Sequence, residues 1–206
     1  NISKYQKLSE NFIRDFKNKV FWRDISYHQD ISENFIKEFC DLVNWESIST
    51  KNLSEKFIEE HQNKIDWTKI SKHKKFSESL IKKFEKKVDW EKISYYQTLS
   101  ENFIIEYKDK VNWNIISKQQ NLSEDFIREF QDVVNWKKIS EHQKLSEDFI
   151  REFQIKVRWR SISYVQELSE DFIREFQHLV NWIGIFKKQK LSEKFIKEFE
   201  NNFNFF

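Results

Sequence analysis

The chain has no proline, no alanine and no methionine, with one glycine and one cysteine. Each absence removes a class of protein. Without proline or a glycine period there is no collagen-like segment and no Pro-rich spacer. Gly184 alone cannot build a phosphate-cradling loop or a dinucleotide fingerprint. Cys40 alone cannot close an intrachain disulfide, which points to a reducing compartment. No run approaches ~18 apolar residues, so no membrane partner is expected, and no signal peptide is visible. Charge of one sign is missing too: 36 Lys+Arg stand against 34 Asp+Glu, a net +2 that singles out neither nucleic acid nor membrane. The missing initiator Met marks the chain as a fragment or a processed product. What is present is aromatic: 21 Phe and 8 Trp supply far more burial than a disordered chain has.

The main signal is internal repetition. The pattern Ser-Glu-x-x-Ile occurs at Ser9, Ser32, Ser54, Ser77, Ser100, Ser123, Ser146, Ser169 and Ser192. The spacing is 23 residues, with one step of 22 between Ser32 and Ser54. Repeats therefore start near Leu8, Ile31, Leu53, Phe76, Leu99, Leu122, Leu145, Leu168 and Leu191, and residues 1–206 read as one array without linkers. A Trp slot runs from Trp22 to Trp182 and ends in Phe205, and an Ile follows three residues after each Trp. The short copy loses its residue between Ile48 and Leu53, where a loop is expected. The Asn-x-Ser matches at Asn1, Asn52 and Asn121 are by-products of the repeat.

Each unit reads as two short helices. Phe12, Ile13, Phe16 and Val20 follow a helical stripe, not strand alternation. Ser9 stands where an N-cap belongs, and Glu10 suits the positive end of the helix dipole. The second helix opens with a cap at Asn44, Asp66, Asp89, Asn112, Asn135 or Asn181. Phe21 and Arg158 break that rule, so their helices are expected to start less cleanly. About two turns long, this helix needs its neighbours for stability. Seven slots per copy are apolar throughout the nine copies except at His61, which leaves little apolar surface beyond the core. The expected fold is all-α: an α-solenoid of about nine 23-residue helix-turn-helix repeats. Neither end carries a polar capping copy: Asn1 begins inside a second helix, and Asn204-Phe205-Phe206 stops as one starts. Further repeats before Asn1, or self-association through the bare ends, would follow. Ile183, Gly184 and Phe186 fill slots that are polar elsewhere and read as decay of the last copy.

Little points to chemistry. His28, His73 and His142 share a slot read as half-buried, but lie ~20 Å or more apart, too far to share a metal. His61 replaces a core Phe, and His178 and Cys40 fill variable surface slots. Nine equal Ser-Glu pairs are caps, not nucleophiles, so there is no catalytic residue, cofactor or metal to assign. Gln29, Gln97, Gln120, Gln143, Gln166 and Gln189, with Gln6 before them, form a row that Lys74 interrupts. We read it as a structural ladder in which each amide bonds loop backbone of its own or the next repeat; the alternative is a row that reads a ligand. The variable slots of the second helix form a stripe, and Tyr27, His28, Tyr95, Tyr96, His142 and Tyr164 are its candidate partner-binding residues. Their alternative is ordinary solvated surface. Lys64, Lys69, Lys72, Lys74 and Lys75, followed by Lys82, Lys83, Lys86 and Lys87, give some support for a single-stranded nucleic acid. The carboxylates Glu78, Glu85, Asp89 and Glu91 among them weigh against it.

In style the array resembles α-solenoids of helix pairs such as armadillo, HEAT and tetratricopeptide proteins, with a shorter period and none of their signatures. The Phe-Ile-rich Ser-Glu-Asp-Phe-Ile units and the Lys/Asn/Ile/Phe-rich composition resemble tandem-repeat proteins of AT-rich giant DNA viruses, the mimivirus-like group. That resemblance implies a virus-encoded, intracellular repeat protein and brings no active residues. The functional expectation is a non-enzymatic scaffold that binds a protein partner, in the cytoplasm. A virion-associated assembly component is the second reading, and a nucleic-acid-binding solenoid the third.

Overall fold

A computed structural model describes residues 2–73 and 75–203. Among these the chain is helical throughout, with eighteen short α-helices and no strand. It divides into two compact units, Asn1–Leu99 and Ser100–Phe206. The first holds α1 (Ile2–Tyr5), α2 (Glu10–Asp15), α3 (Trp22–His28), α4 (Glu33–Glu38), α5 (Trp45–Ile48), α6 (Glu55–Glu60), α7 (Trp67–His73), α8 (Glu78–Lys83) and α9 (Trp90–Tyr96). The second holds α10 (Glu101–Glu106), α11 (Trp113–Gln119), α12 (Glu124–Glu129), α13 (Trp136–His142), α14 (Glu147–Glu152), α15 (Trp159–Val165), α16 (Glu170–Glu175), α17 (Trp182–Lys188) and α18 (Glu193–Glu198), then a 3-10 turn at Glu200–Phe203. Glu-led and Trp-led helices alternate, one of each per sequence repeat. Lys74 of the glutamine row, Phe205 of the Trp slot and both chain termini lie outside the described residues.

The Glu-led helices start as the sequence dictates. The hydroxyl of Ser9 accepts from Phe12 N at 3.2 Å, and Ser32, Ser54, Ser123, Ser146 and Ser169 do the same in their copies. These helices are shorter than the apolar stripe. They end at Phe16 and its equivalents, and a hydrogen-bonded turn carries the chain on to Val20. In the Trp-led helices Asn44, Asn135 and Asn181 cap through their side chains. Phe21 and Arg158 make no side-chain cap, yet α3 and α15 run over the same seven positions as α13. The less regular starts expected there do not occur. The hydroxyls of Ser3 and Ser140 in the preceding copies hold the backbone amides of Phe21 and Arg158 at 3.1 and 2.9 Å.

The short copy also differs from expectation. Its missing residue shortens a helix rather than a loop: α5 has four residues where α3 and α13 have seven. Ser49 still makes both bonds of its slot, to Trp45 O and from Asp66 N, so the neighbours keep their register.

Within each unit, packing runs from one copy to the next. Trp-led helices pack in series, α3 on α1 and α5 in the first unit, and α11, α13, α15 and α17 in the second. Trp22, Trp113, Trp136 and Trp159 each lie over the Phe pair of the following Glu-led helix: Trp136 is 6.2 Å from Phe149 and 4.9 Å from Phe153 between ring centroids. Ile25, Ile48, Ile70, Ile93, Ile116, Ile139, Ile162 and Ile185 have no exposed surface. Each such side chain contributes on the order of 1.5–3 kcal/mol by leaving water.

Candidate functional site

Much of each repeat is engaged in joining copies. The glutamine row shows this most directly. Gln143 Oε1 accepts from Leu122 N at 3.1 Å, while its Nε2 donates to Ser117 O at 3.0 Å and Gln120 O at 2.8 Å. Gln29, Gln97, Gln166 and Gln189 make the corresponding bonds. Gln120 is buried and supplies the carbonyl that Gln143 reads. Each amide thus accepts from a backbone N–H of its own copy, as expected, and donates to carbonyls of the preceding copy rather than the next. The second-helix serines form a parallel row that sequence reasoning overlooked. Ser26 donates to Trp22 O at 2.7 Å and accepts from Asn44 N at 2.8 Å. Glu10, read as a dipole partner, accepts from Ser32 N of the next copy at 2.7 Å.

The variable slots of the Trp-led helices are less occupied. Tyr27 and Tyr95 are 63% and 45% exposed, whereas Tyr96 and Tyr164 are half-buried. His28, His73 and His142 are exposed, not half-buried as expected. Tyr27 meets His28 edge-on at 4.8 Å, and the Tyr95 and Tyr96 rings lie 4.6 Å apart. Two clefts collect these residues. One, between α3 and α5, brings Tyr27 and His28 beside Arg23, Asp24, Glu46 and Lys69. The other, between α13 and α15, brings His142 and Tyr164 beside Lys137, Arg158 and Arg160, with a volume of about 780 Å³. Tyr95 and Tyr96 line neither.

The two clefts differ in charge. In the first, Lys69 and Glu46 pair at 3.1 Å. In the second, Glu141 is the only carboxylate on the wall, and Lys138 holds it at 3.1 Å. That hydrogen bond keeps the Glu141 pKa below the usual Glu value. The Arg158 and Arg160 side chains have no hydrogen bond or ion pair among the described residues. By contrast Arg128, Arg151 and Arg174 each reach a glutamate of the following copy.

Gly184 proves to be a fitted position rather than decay. It is buried in α17, and its φ is not positive, so space and not backbone freedom selects it. A Cβ there would stand 2.7 Å from Tyr164 Cδ2, 2.9 Å from Cε2 and 3.0 Å from Ser163 Cβ. The ring of Tyr164 thus lies against glycine backbone, and this draws it in from solvent. The corresponding position facing Tyr27 is Ser47, and Tyr27 stands out. A helical glycine costs ~1 kcal/mol relative to alanine. The signals that could have found this cleft were in the sequence: the only glycine and a broken cap rule, one repeat apart.

The other candidates are occupied or plain. His61 stacks on Phe57 at 4.2 Å and on Trp45 at 5.3 Å, with Nδ1 3.0 Å from Phe57 O. Cys40 is half-buried and His178 exposed. No group of three or more His, Cys, Asp and Glu is placed to hold a metal among the described residues. Among the lysines that suggested nucleic acid, Lys64 pairs with Asp41, Lys69 with Glu46 and Lys83 with Glu59. No described helix is long and apolar enough to cross a membrane.

No protein-family model, curated protein or solved structure matches the chain.

Proposed function

We propose that this chain is a non-enzymatic α-solenoid scaffold that holds a protein partner on the stripe formed by its Trp-led helices. One observation carries the reading. The glutamines and second-helix serines that recur along the array are engaged between copies, while the slots that vary from copy to copy stand mostly exposed and carry exposed rings at Tyr27, His28, Tyr95 and His142. A repeat surface that varies over an unvarying frame is how stacked helices present a binding face. Tyrosine and histidine suit it, with an apolar body and a polar tip. The resemblance to repeat proteins of giant viruses fits an intracellular scaffold of this kind.

The test is a tagged pull-down from host-cell lysate with nuclease added, comparing the natural chain with a Tyr27→Ser, Tyr95→Ser, Tyr96→Ser, Tyr164→Ser variant. One or two proteins captured by the first and lost by the second is the expected result. Equal capture by both ends the stripe reading.

A second reading is assembly with other chains. Ile2, Phe16 and Phe21 are exposed and, with Phe12 and Val20, line an apolar cleft of the first unit. Concentration-dependent association in sedimentation velocity, abolished by Phe16→Ser with Phe21→Asn, would favour it.

A further inference from the structure

We infer that the cleft between α13 and α15 is a docking site for an acidic peptide segment of the partner, with Arg158 and Arg160 receiving its carboxylates and Tyr164 and Val165 its apolar side chains. The inference rests on the scaffold reading and specifies its chemistry. Four cationic or protonatable side chains, Lys137, His142, Arg158 and Arg160, line the cleft against the single carboxylate of Glu141. That carboxylate is already shared by Lys138 at 3.1 Å, His142 at 3.7 Å and Lys137 at 4.0 Å, so the surplus charge is that of the two arginines. The two guanidinium groups have no partner among the described residues. A free guanidinium fork matches a carboxylate in two-point geometry. Tyr164 and the exposed Val165 give the wall its apolar part. The volume of about 780 Å³ lies within the ~300–1,000 Å³ typical of ligand clefts.

Two local departures from the repeat converge here. Arg158 replaces the capping Asn or Asp, and Gly184 opens the space that seats Tyr164. Each works against local helix stability and each shapes this cleft, the pattern expected where a site overrides the frame. A short acidic segment fits better than a nucleic-acid strand. A strand needs a continuous cationic track, but the neighbouring cations Arg151, Lys156 and Arg174 are paired with Glu175, Asp132 and Glu198. These pairs interrupt a cationic track at the cleft's neighbours.

The test is fluorescence anisotropy of the full chain with a short fluorescein-labelled peptide of alternating Glu, Asp and Leu. Saturable binding is expected, weakening with added salt. Arg160→Ser and Arg158→Asn should each weaken it by about tenfold. Arg158→Asn should at the same time raise the melting temperature, because it restores the cap. A loss of binding in a more stable protein is not a folding defect. The inference is overturned if the peptide does not bind, if both variants bind it as tightly as the natural chain, or if a Lys-Leu peptide binds equally well. It is also overturned if a single-stranded thymidine oligonucleotide displaces the peptide more readily than unlabelled peptide does. The same arginine variants in the pull-down separate this inference from the scaffold reading. Capture kept by the arginine variants but lost by the tyrosine variant removes the acidic site and leaves the scaffold standing. Capture indifferent to the tyrosine changes removes the scaffold reading whatever the peptide does.

Discussion

The two units follow one bonding rule with different fidelity. In Ser100–Phe206 the copies are near replicas. Arg128, Arg151 and Arg174 each bond an Asp three residues before them and a Glu of the next copy, at distances of 2.7–2.9 Å. In Asn1–Leu99 the corresponding junctions use Arg14 with Glu38, then Lys37 with Glu60. The first unit also contains the short copy. There the bond to the Gln29 carbonyl, which a glutamine amide would make in a regular copy, comes from Lys51 Nζ at 2.7 Å. Burial lowers the Lys51 pKa, opposed by the nearby Asp30. What the junction requires is therefore a donor at the backbone carbonyl of the preceding copy. The side chain that brings the donor is exchangeable.

Four sets of substitutions test this comparison, and native-state hydrogen exchange reports which helices open. The largest effect is expected in the glutamine ladder. Gln143→Ala leaves the buried Leu122 amide and two carbonyls without partners and should cost about 2–4 kcal/mol in urea unfolding. Lys51→Ala breaks one half-exposed bond and should cost about 1 kcal/mol. Equal losses would mean that the two junctions are not graded as described. Next comes Gly184→Ala, which forces a methyl against the Tyr164 ring and should cost about 1–3 kcal/mol despite its better helix propensity. In a Tyr164→Ala background, where only the Ser163 Cβ contact remains, the same change should cost less or stabilise. An equal cost in both backgrounds would detach the glycine from the ring.

Third, Arg158→Asn in the second unit and Phe21→Asn in the first should each stabilise by about 1 kcal/mol through a new cap. Unchanged melting temperatures would show that the Ser3 and Ser140 bonds alone suffice. The smallest effect concerns pH. Glu170 is held below its ordinary pKa of 4.5 by the Ser192 backbone amide. The stability this bond gives is present above pH 4.5 and is lost as pH falls through the lowered value. Glu170→Gln should flatten the acid side of the stability profile, as should Glu10→Gln in the first unit. In Glu10 desolvation works against the lowering by Ser32. An unaltered acid slope in both variants would exclude these bonds from acid unfolding.

What could be read from the sequence was mostly what acts within a few residues. The Ser9 cap bonds an amide three residues away, so spacing alone reveals it. The same holds for the Trp-led helices and the apolar slots. The partners of Glu10, Ser26 and Gln143 lie 18 to 26 residues off, and no local rule states which neighbour they face. Hence the glutamine row was legible as a ladder with a bond inside its own copy, while the direction of its bond to a neighbouring copy was not. The variable slots of the Trp-led helices were legible as slots because aligned copies differ there, although the exposure of His28 and His142 was not. The basic cleft was not, since it takes side chains from two helices that only stacking brings side by side. Gly184 looked like erosion because its reason, the ring of Tyr164, sits twenty residues earlier.

The backward reach of each glutamine has a consequence for inheritance. Within each unit these bonds run between consecutive copies, and their acceptors are mostly main-chain atoms that any copy supplies. A copy gained or lost by slippage in the gene would bring its own donors and find its acceptors waiting, with the reading frame intact. The number of copies is then a quantity that selection can adjust freely, provided that each junction keeps a donor for the carbonyl before it.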